Sequence, residues 1–184
     1  MSDTTSSQIT ETLPAFPEFT KLTIAHDPII RQYTDQFPAY SDFTFSVLWC
    51  WGMDRCYLSD AGGNLVIQLP NYTSDHMFLS FIGRQQVNET IALLLAMIQD
   101  SDHLLPYLQA IPEDAMSGIS LDTSYQITED MNNNDYICEL SMLAKMAGNR
   151  YERIRNMANC FRETYPWQVK KIDLREPNHT RLRG

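Results

Sequence analysis

The chain is 184 residues long, 43% hydrophobic and 20% charged, with a formal net charge of −9, which fits one globular domain able to bury roughly 70% of its unfolded surface. The surplus of acid excludes the broad basic surface that duplex DNA demands. The longest purely apolar run, residues 91–98, is far short of the roughly 20 residues needed to cross a bilayer, and the N-terminus lacks the basic stretch and apolar core of a secretory signal, so a cytoplasmic protein is expected.

Residues 1–18, polar and proline-containing without an apolar period, read as a disordered or loosely docked tail. A short helix follows over residues 28–37, with Asp27 as its N-cap, Pro28 in its first turn and Pro38 as its stop. A second helix is predicted from Phe43 to about Met53, capped by Ser41 or Asp42, because Phe45, Leu48, Trp49 and Gly52 share one face. Residues 55–59 and 64–69 read as strands joined at Asp60-Ala61-Gly62-Gly63, where the glycines supply the positive φ of a tight hairpin.

Residues 76–82 make a third strand, and residues 88–99 a helix capped by Asn88 with an apolar face through Ile91, Leu94, Leu95 and Ile98. Short helices are predicted at 104–110 and 112–116, strands at about 119–121 and 124–129, and a turn at Asn132-Asn133-Asn134. Residues 136–138 suit a strand or the start of a helix. A helical run over 140–165 should break at Gly148, a last strand should span 167–174, and 175–184 should be a flexible tail. Strands and helices mix without a strict βαβ repeat, so the fold class is α/β, of the mixed α+β kind.

The charge is unevenly placed. Residues 145–184 hold 10 of the 14 Lys and Arg and only 4 acids, so the rest of the chain carries a large acidic excess. Apolar residues at 140, 144, 147, 151, 154, 158, 161 and 165 form one stripe. At about 100° per residue, Arg150 and Arg153 flank one side of it and Arg155 and Arg162 the other. Three readings stay open. The arginine stems cover the edges of a packed helix; the guanidinium groups grip phosphates; or the stripe lies on an anionic membrane surface.

The aromatic cluster of Tyr40, Phe43, Phe45, Trp49 and Trp51 is read first as core, and otherwise as the wall of a ligand cleft. Cys50, Cys56, Cys138 and Cys160 form no Cys-x-x-Cys pair and have no histidine at ligand spacing, so neither a metal site nor a disulfide framework is expected. His26, His76, His103 and His179 are scattered, and none stands beside a nucleophile in a recognisable elbow. No catalytic residue is nominated.

Asp135-Tyr136-Ile137 followed by Leu143, Gly148, Tyr151, Arg155, Asn156, Asn159 and Phe161 resembles the DUF2156 family, which includes the C-terminal domain of bacterial phosphatidylglycerol lysyltransferases. Tyr40-Ser41-Asp42-Phe43-Thr44-Phe45 with Leu48, Trp49 and Trp51 is similar to an N-terminal segment of that family, and Gly63-Asn64-Leu65 to its hairpin. The resemblance covers most of residues 19–174. It implies an acetyltransferase-like (GNAT) fold, a central mixed sheet flanked by helices over 19–174, forming the N-terminal half of a tandem.

The resemblance further implies kinship with aminoacyl-tRNA-dependent aminoacyltransferases, with the chemistry carried mainly by a second GNAT domain and a shared cleft. Without that domain the half should be inactive; a non-catalytic interaction module or a self-associating shortened paralogue is the alternative. Arg150, Tyr151, Arg155, Asn156 and Asn159 are the candidate anion-binding residues. The partners implied are a second GNAT domain or another copy of the chain, and an aminoacyl-tRNA or other phosphate-bearing ligand. The family's lysine-rich cluster is diluted here to Asn149-Arg150-Tyr151-Glu152-Arg153-Ile154, and the pyrophosphate-binding signature of active acetyltransferases is absent, so acetyl-CoA is not expected as a cofactor.

Overall fold

Strands β1 (Thr20–Lys21), β2 (Tyr57–Ala61), β3 (Asn64–Pro70) and β4 (Met77–Ile82) form an antiparallel sheet in the order β1-β2-β3-β4. The structure is a computed structural model, described here over residues 12–52, 54–119 and 125–169. β3 and β4 are apolar on both faces because both faces are covered. Leu58, Leu65, Ile67, Leu69, Phe78 and Ile82 meet one layer, while Val66, Leu79 and Phe81 meet the other. Burying each such side chain contributes about 1.5–3 kcal/mol, so the central strands anchor this part of the chain.

The first layer consists of α1 (Asp27–Thr34) and α2 (Phe45–Trp51), which insert Ile29, Ile30 and Leu48. The second is α3 (Val87–Gln99), which inserts Val87, Ile91, Leu94 and Ile98. Six α-helices and four strands occur among the described residues, a mixed α/β arrangement consistent with a GNAT-like fold.

The hairpin expected at Asp60-Ala61-Gly62-Gly63 is present. Ala61 pairs with Asn64, leaving Gly62 and Gly63 as a two-residue loop at φ +63° and +92°, the left-handed backbone that twisted hairpins favour. Asp60 ties this corner. Its Oδ1 accepts the Gly63 N–H at 3.0 Å, and its Oδ2 accepts the Tyr33 hydroxyl at 2.5 Å. Opposite, Asn64 Nδ2 donates to the Gln85 carbonyl (2.5 Å) and to Thr90 Oγ1 (2.8 Å), while its Oδ1 accepts the Gln85 N–H (3.0 Å). One buried amide thus joins the start of β3 to the first turns of α3.

Several boundaries differ from expectation. Asp27 lies inside α1, because the 3-10 turn Ile24–His26 leads directly into it and His26 takes the N-cap position; the helix ends at Thr34, ahead of Pro38. Ser41 and Asp42 belong to a separate 3-10 turn, Ser41–Phe43, and Thr44 is the N-cap of α2. Asn88 is the second residue of α3, behind a left-handed Gln86. Of the two readings of the N-terminal tail, residues 12–18 take the docked one: Leu13 is buried, and the Pro14 carbonyl and Phe16 N–H bond to the Asp60 backbone.

The helix expected at 104–110 is replaced by an extended segment beside β4. Its carbonyl at His103 and N–H at Leu105 bracket Met77 in a parallel bridge. The next bond to β4 comes from Gln109 N–H to the Leu79 carbonyl. α4 (Glu113–Met116) follows. Asp114 there accepts the Tyr40 hydroxyl at 3.0 Å and pairs with Arg84 at 3.1 Å, and the Arg84 guanidinium lies 4.5 Å from the Phe37 ring centroid. Cys56 is buried beside α2, and desolvation pushes its thiol up to about 12.

Residues 125–129 are not a strand, and the asparagine run falls in the 3-10 turn Met131–Asn133, capped by Asp130. The expected strand at 119–121 lies mostly outside the described residues, as do residue 124, the 170–174 part of the last strand and the 175–184 tail; residues 167–169 are not a strand. The chain divides into two compact units, Met1–Asp135 and Tyr136–Gly184. The second unit contains α5 (Leu140–Lys145), the 3-10 turn Asn149–Tyr151 and α6 (Glu152–Thr164). Gly148, at φ +87°, stands at the expected break.

Candidate functional site

α6 holds the residues singled out for anion binding. Its apolar stripe has too little chain within the second unit to cover it: Ile154, Phe161 and Tyr165 are about half exposed, and Met157 is 64% exposed. Phe161 and Tyr165 pack ring to ring at 5.3 Å between centroids. An open concavity runs along this flank from Asn149, Arg150 and Arg153 at one end to Phe161 and Tyr165 at the other. It offers cationic and amide donors beside apolar surface, a combination suited to a ligand or partner with both anionic and apolar parts.

The five candidate residues separate. Arg150 and Asn156 line the concavity. Tyr151 lies under the Arg150 guanidinium, 5.0 Å from ring centroid to charge, a cation–π contact that holds the arginine near the helix start. Asn159 Oδ1 accepts from Arg162 at 3.2 Å, and neither residue lines the concavity. Arg155 turns away altogether. Its Nη1 donates to the carbonyls of Met146 and of Gly148 (2.7 Å), satisfying acceptors left free where α5 ends. It braces the α5–α6 junction, and Arg153 supplies the cation that the concavity uses instead.

The Asp135-Tyr136-Ile137 motif is not a strand. Tyr136 is 99% exposed and Ile137 nearly as bare, while Asp135 Oδ2 accepts the Ser41 N–H at 3.0 Å within the first unit.

The aromatic cluster divides too. Phe43 is fully buried, but Trp49 and Trp51 are about half exposed, because α2 turns only Leu48 and part of Phe45 to the core. Trp49 stacks on Phe45 (5.8 Å), and Trp51 meets Tyr72 edge to face (5.7 Å), with the Tyr72 hydroxyl donating to the Trp51 carbonyl at 3.2 Å. Tyr72 had no signal in the sequence, since it joins the patch across a 21-residue separation. Beside the patch, desolvation first and the neighbouring Asp135 second raise the Asp42 carboxyl above its ordinary value. Burial and then Asp42 raise the Tyr72 phenol.

Among the described residues no group of His, Cys, Asp and Glu could hold a metal ion, and no helix is long and apolar enough to cross a membrane. A family model described as "Phosphatidylglycerol lysyltransferase, C-terminal" matches residues 34–183. Neither the curated proteins nor the solved structures gave a match.

Proposed function

The chain belongs to the phosphatidylglycerol lysyltransferase C-terminal family, and from that premise we propose that it is the leading GNAT-like lobe of a paired aminoacyl-transfer protein, inactive by itself. The observation that carries this reading is the half-exposed apolar stripe of α6. A segment that belongs to the family's most recognisable block and leaves Ile154, Met157, Phe161 and Tyr165 uncovered is suited to close against another lobe.

In aminoacyl transfer a hydroxyl or an amine of the acceptor attacks the carbonyl of an aminoacyl ester, and the nucleic-acid hydroxyl leaves. That reaction needs both substrates held together and the phosphates of the carrier gripped. Arg150, Arg153 and Asn156 supply donors for such phosphates on one wall, with Arg155 keeping the wall in place through the Met146 and Gly148 carbonyls. The bond-making groups belong, on this reading, mainly to the second lobe.

Titration with a fluorescent tRNA acceptor-stem helix tests the anion wall. The parent chain is expected to retain it in low salt, and Arg150→Glu to bind about tenfold more weakly, the loss of one charge-assisted contact. A parent chain that retains no acceptor stem would remove the wall from the account.

A second reading, a non-catalytic interaction module, is favoured by a separate observation. Arg155 is committed to backbone carbonyls, and Glu152 stands among the remaining arginines at the concavity, which weakens any anion grip. Retention of the acceptor-stem helix by the parent chain, with its loss in Arg150→Glu, would count against this second reading.

A further inference from the structure

We infer that the surface covering α6 is supplied by a second copy of this chain, whose exposed aromatic patch at Trp49, Trp51 and Tyr72 receives the α6 face of the first. The inference rests on one part of the paired-lobe reading, that α6 closes against another body, and names that body; it does not supply the second lobe's bond-making groups. It is argued from complementarity in two independent properties. α6 offers Ile154, Met157 and Phe161 as exposed apolar surface, and α2 with Tyr72 offers exposed rings on the first unit; each is the kind of surface the other needs to leave water.

The charges match as well. Residues 136–184 carry 10 basic and 5 acidic side chains, while the remainder carries 4 basic and 18 acidic. Among the described residues the ion pairs join Lys21 to Asp54, Arg31 to Asp27 and Arg84 to Asp114. Within that set, Arg150, Arg153 and Arg162 beside the α6 stripe therefore lack an acidic partner, and Asp42 and Asp135 near the rings lack a cationic one. Asp42 is raised partly by Asp135, the behaviour of two carboxylates that share a surface without a counter-charge.

Pairing two α6 faces with each other would set arginine against arginine, whereas α6 on the acidic patch sets arginine against carboxylate. Each copy carries both surfaces, so a dimer that exchanges them holds the same contact twice.

Sedimentation velocity over a concentration series tests this, with circular dichroism confirming that each variant folds. The parent chain is expected to pass from monomer to dimer, and to dissociate as salt screens the ionic flank. Arg153→Glu and Asp42→Arg should each weaken the dimer about tenfold or more. Mixed together they should restore it, since a mixed dimer sets the two reversed charges against each other in one contact and the native pair in the other. Phe161→Glu, at a half-exposed position whose change the fold tolerates, should abolish the dimer and resist rescue.

A parent chain that stays monomeric at every concentration overturns the inference. If that monomer binds a dye specific for exposed apolar surface, the paired-lobe reading stands with a different partner; if it binds none, both fall. A dimer indifferent to Arg153→Glu and Phe161→Glu also overturns it.

Discussion

Asn64 shows how much one side chain decides. Polar and wholly buried at the first position of β3, it satisfies the Gln85 backbone in both directions and the Thr90 hydroxyl besides. Removing it takes this partner from the part-buried Gln85 N–H and carbonyl bonds and from the buried Thr90 hydroxyl, at about 1–3 kcal/mol for such groups. Asn64→Ala should therefore lower stability by about 2–3 kcal/mol, read as a fall of roughly 5–10 °C in melting temperature for a chain of this size. Asn64→Asp should fare no better, since a carboxylate cannot donate to the Gln85 carbonyl. An unchanged melting temperature in Asn64→Ala would mean that the junction of β3 and α3 is held by apolar packing alone. The sequence marked Asn64 only as part of the hairpin and not as a junction residue, because its partners lie 21 and 26 residues away.

At the scale of elements, the hairpin, the three longer strands and α3 were legible because their signals are local. Glycine at the turn, unbroken apolar runs in β3 and β4, and a 3-4 spacing in α3 each state their own conformation. The segment at 104–110 misled for the opposite reason. Leu104, Leu105 and Leu108 have helical spacing, but Met77 offers a backbone partner, and the tertiary bridge prevails over the local pattern.

Arg155 misled in the same way. Its position beside the stripe fits a ligand contact, yet its donors answer the carbonyls exposed where α5 stops. Arg155→Ala should loosen that junction by about 1–2 kcal/mol, seen as faster amide hydrogen exchange over residues 146–155 with β3 and β4 unchanged. Arg155→Lys should recover only part of the protection, because an ammonium lacks the fork that spans two acceptors. Exchange left unaltered by Arg155→Ala would return Arg155 to the set of free cations available for a ligand.

Over the whole molecule, two properties run in parallel. The first unit has its own core on both faces of a sheet and an acidic surface. The second unit is small and basic, and none of its described residues is buried. The family could be read from the sequence because its motif residues keep short, fixed spacings along the chain. The division into two units could not, since the amphipathic stripe that identifies a packed helix is the same stripe an uncovered helix presents. That ambiguity is the functional point: an apolar face kept at the surface by its own unit is available for another body to cover.

The most direct measurement is the fluorescence of an apolar-surface dye at submicromolar protein, where the chain is held monomeric, compared between the parent and a Met157→Glu, Phe161→Glu double variant. The account predicts strong dye binding by the parent and its loss in the variant, with far-ultraviolet circular dichroism unchanged. A parent that binds no dye, or a variant that binds it equally well, would contradict the claim that α6 presents an uncovered face.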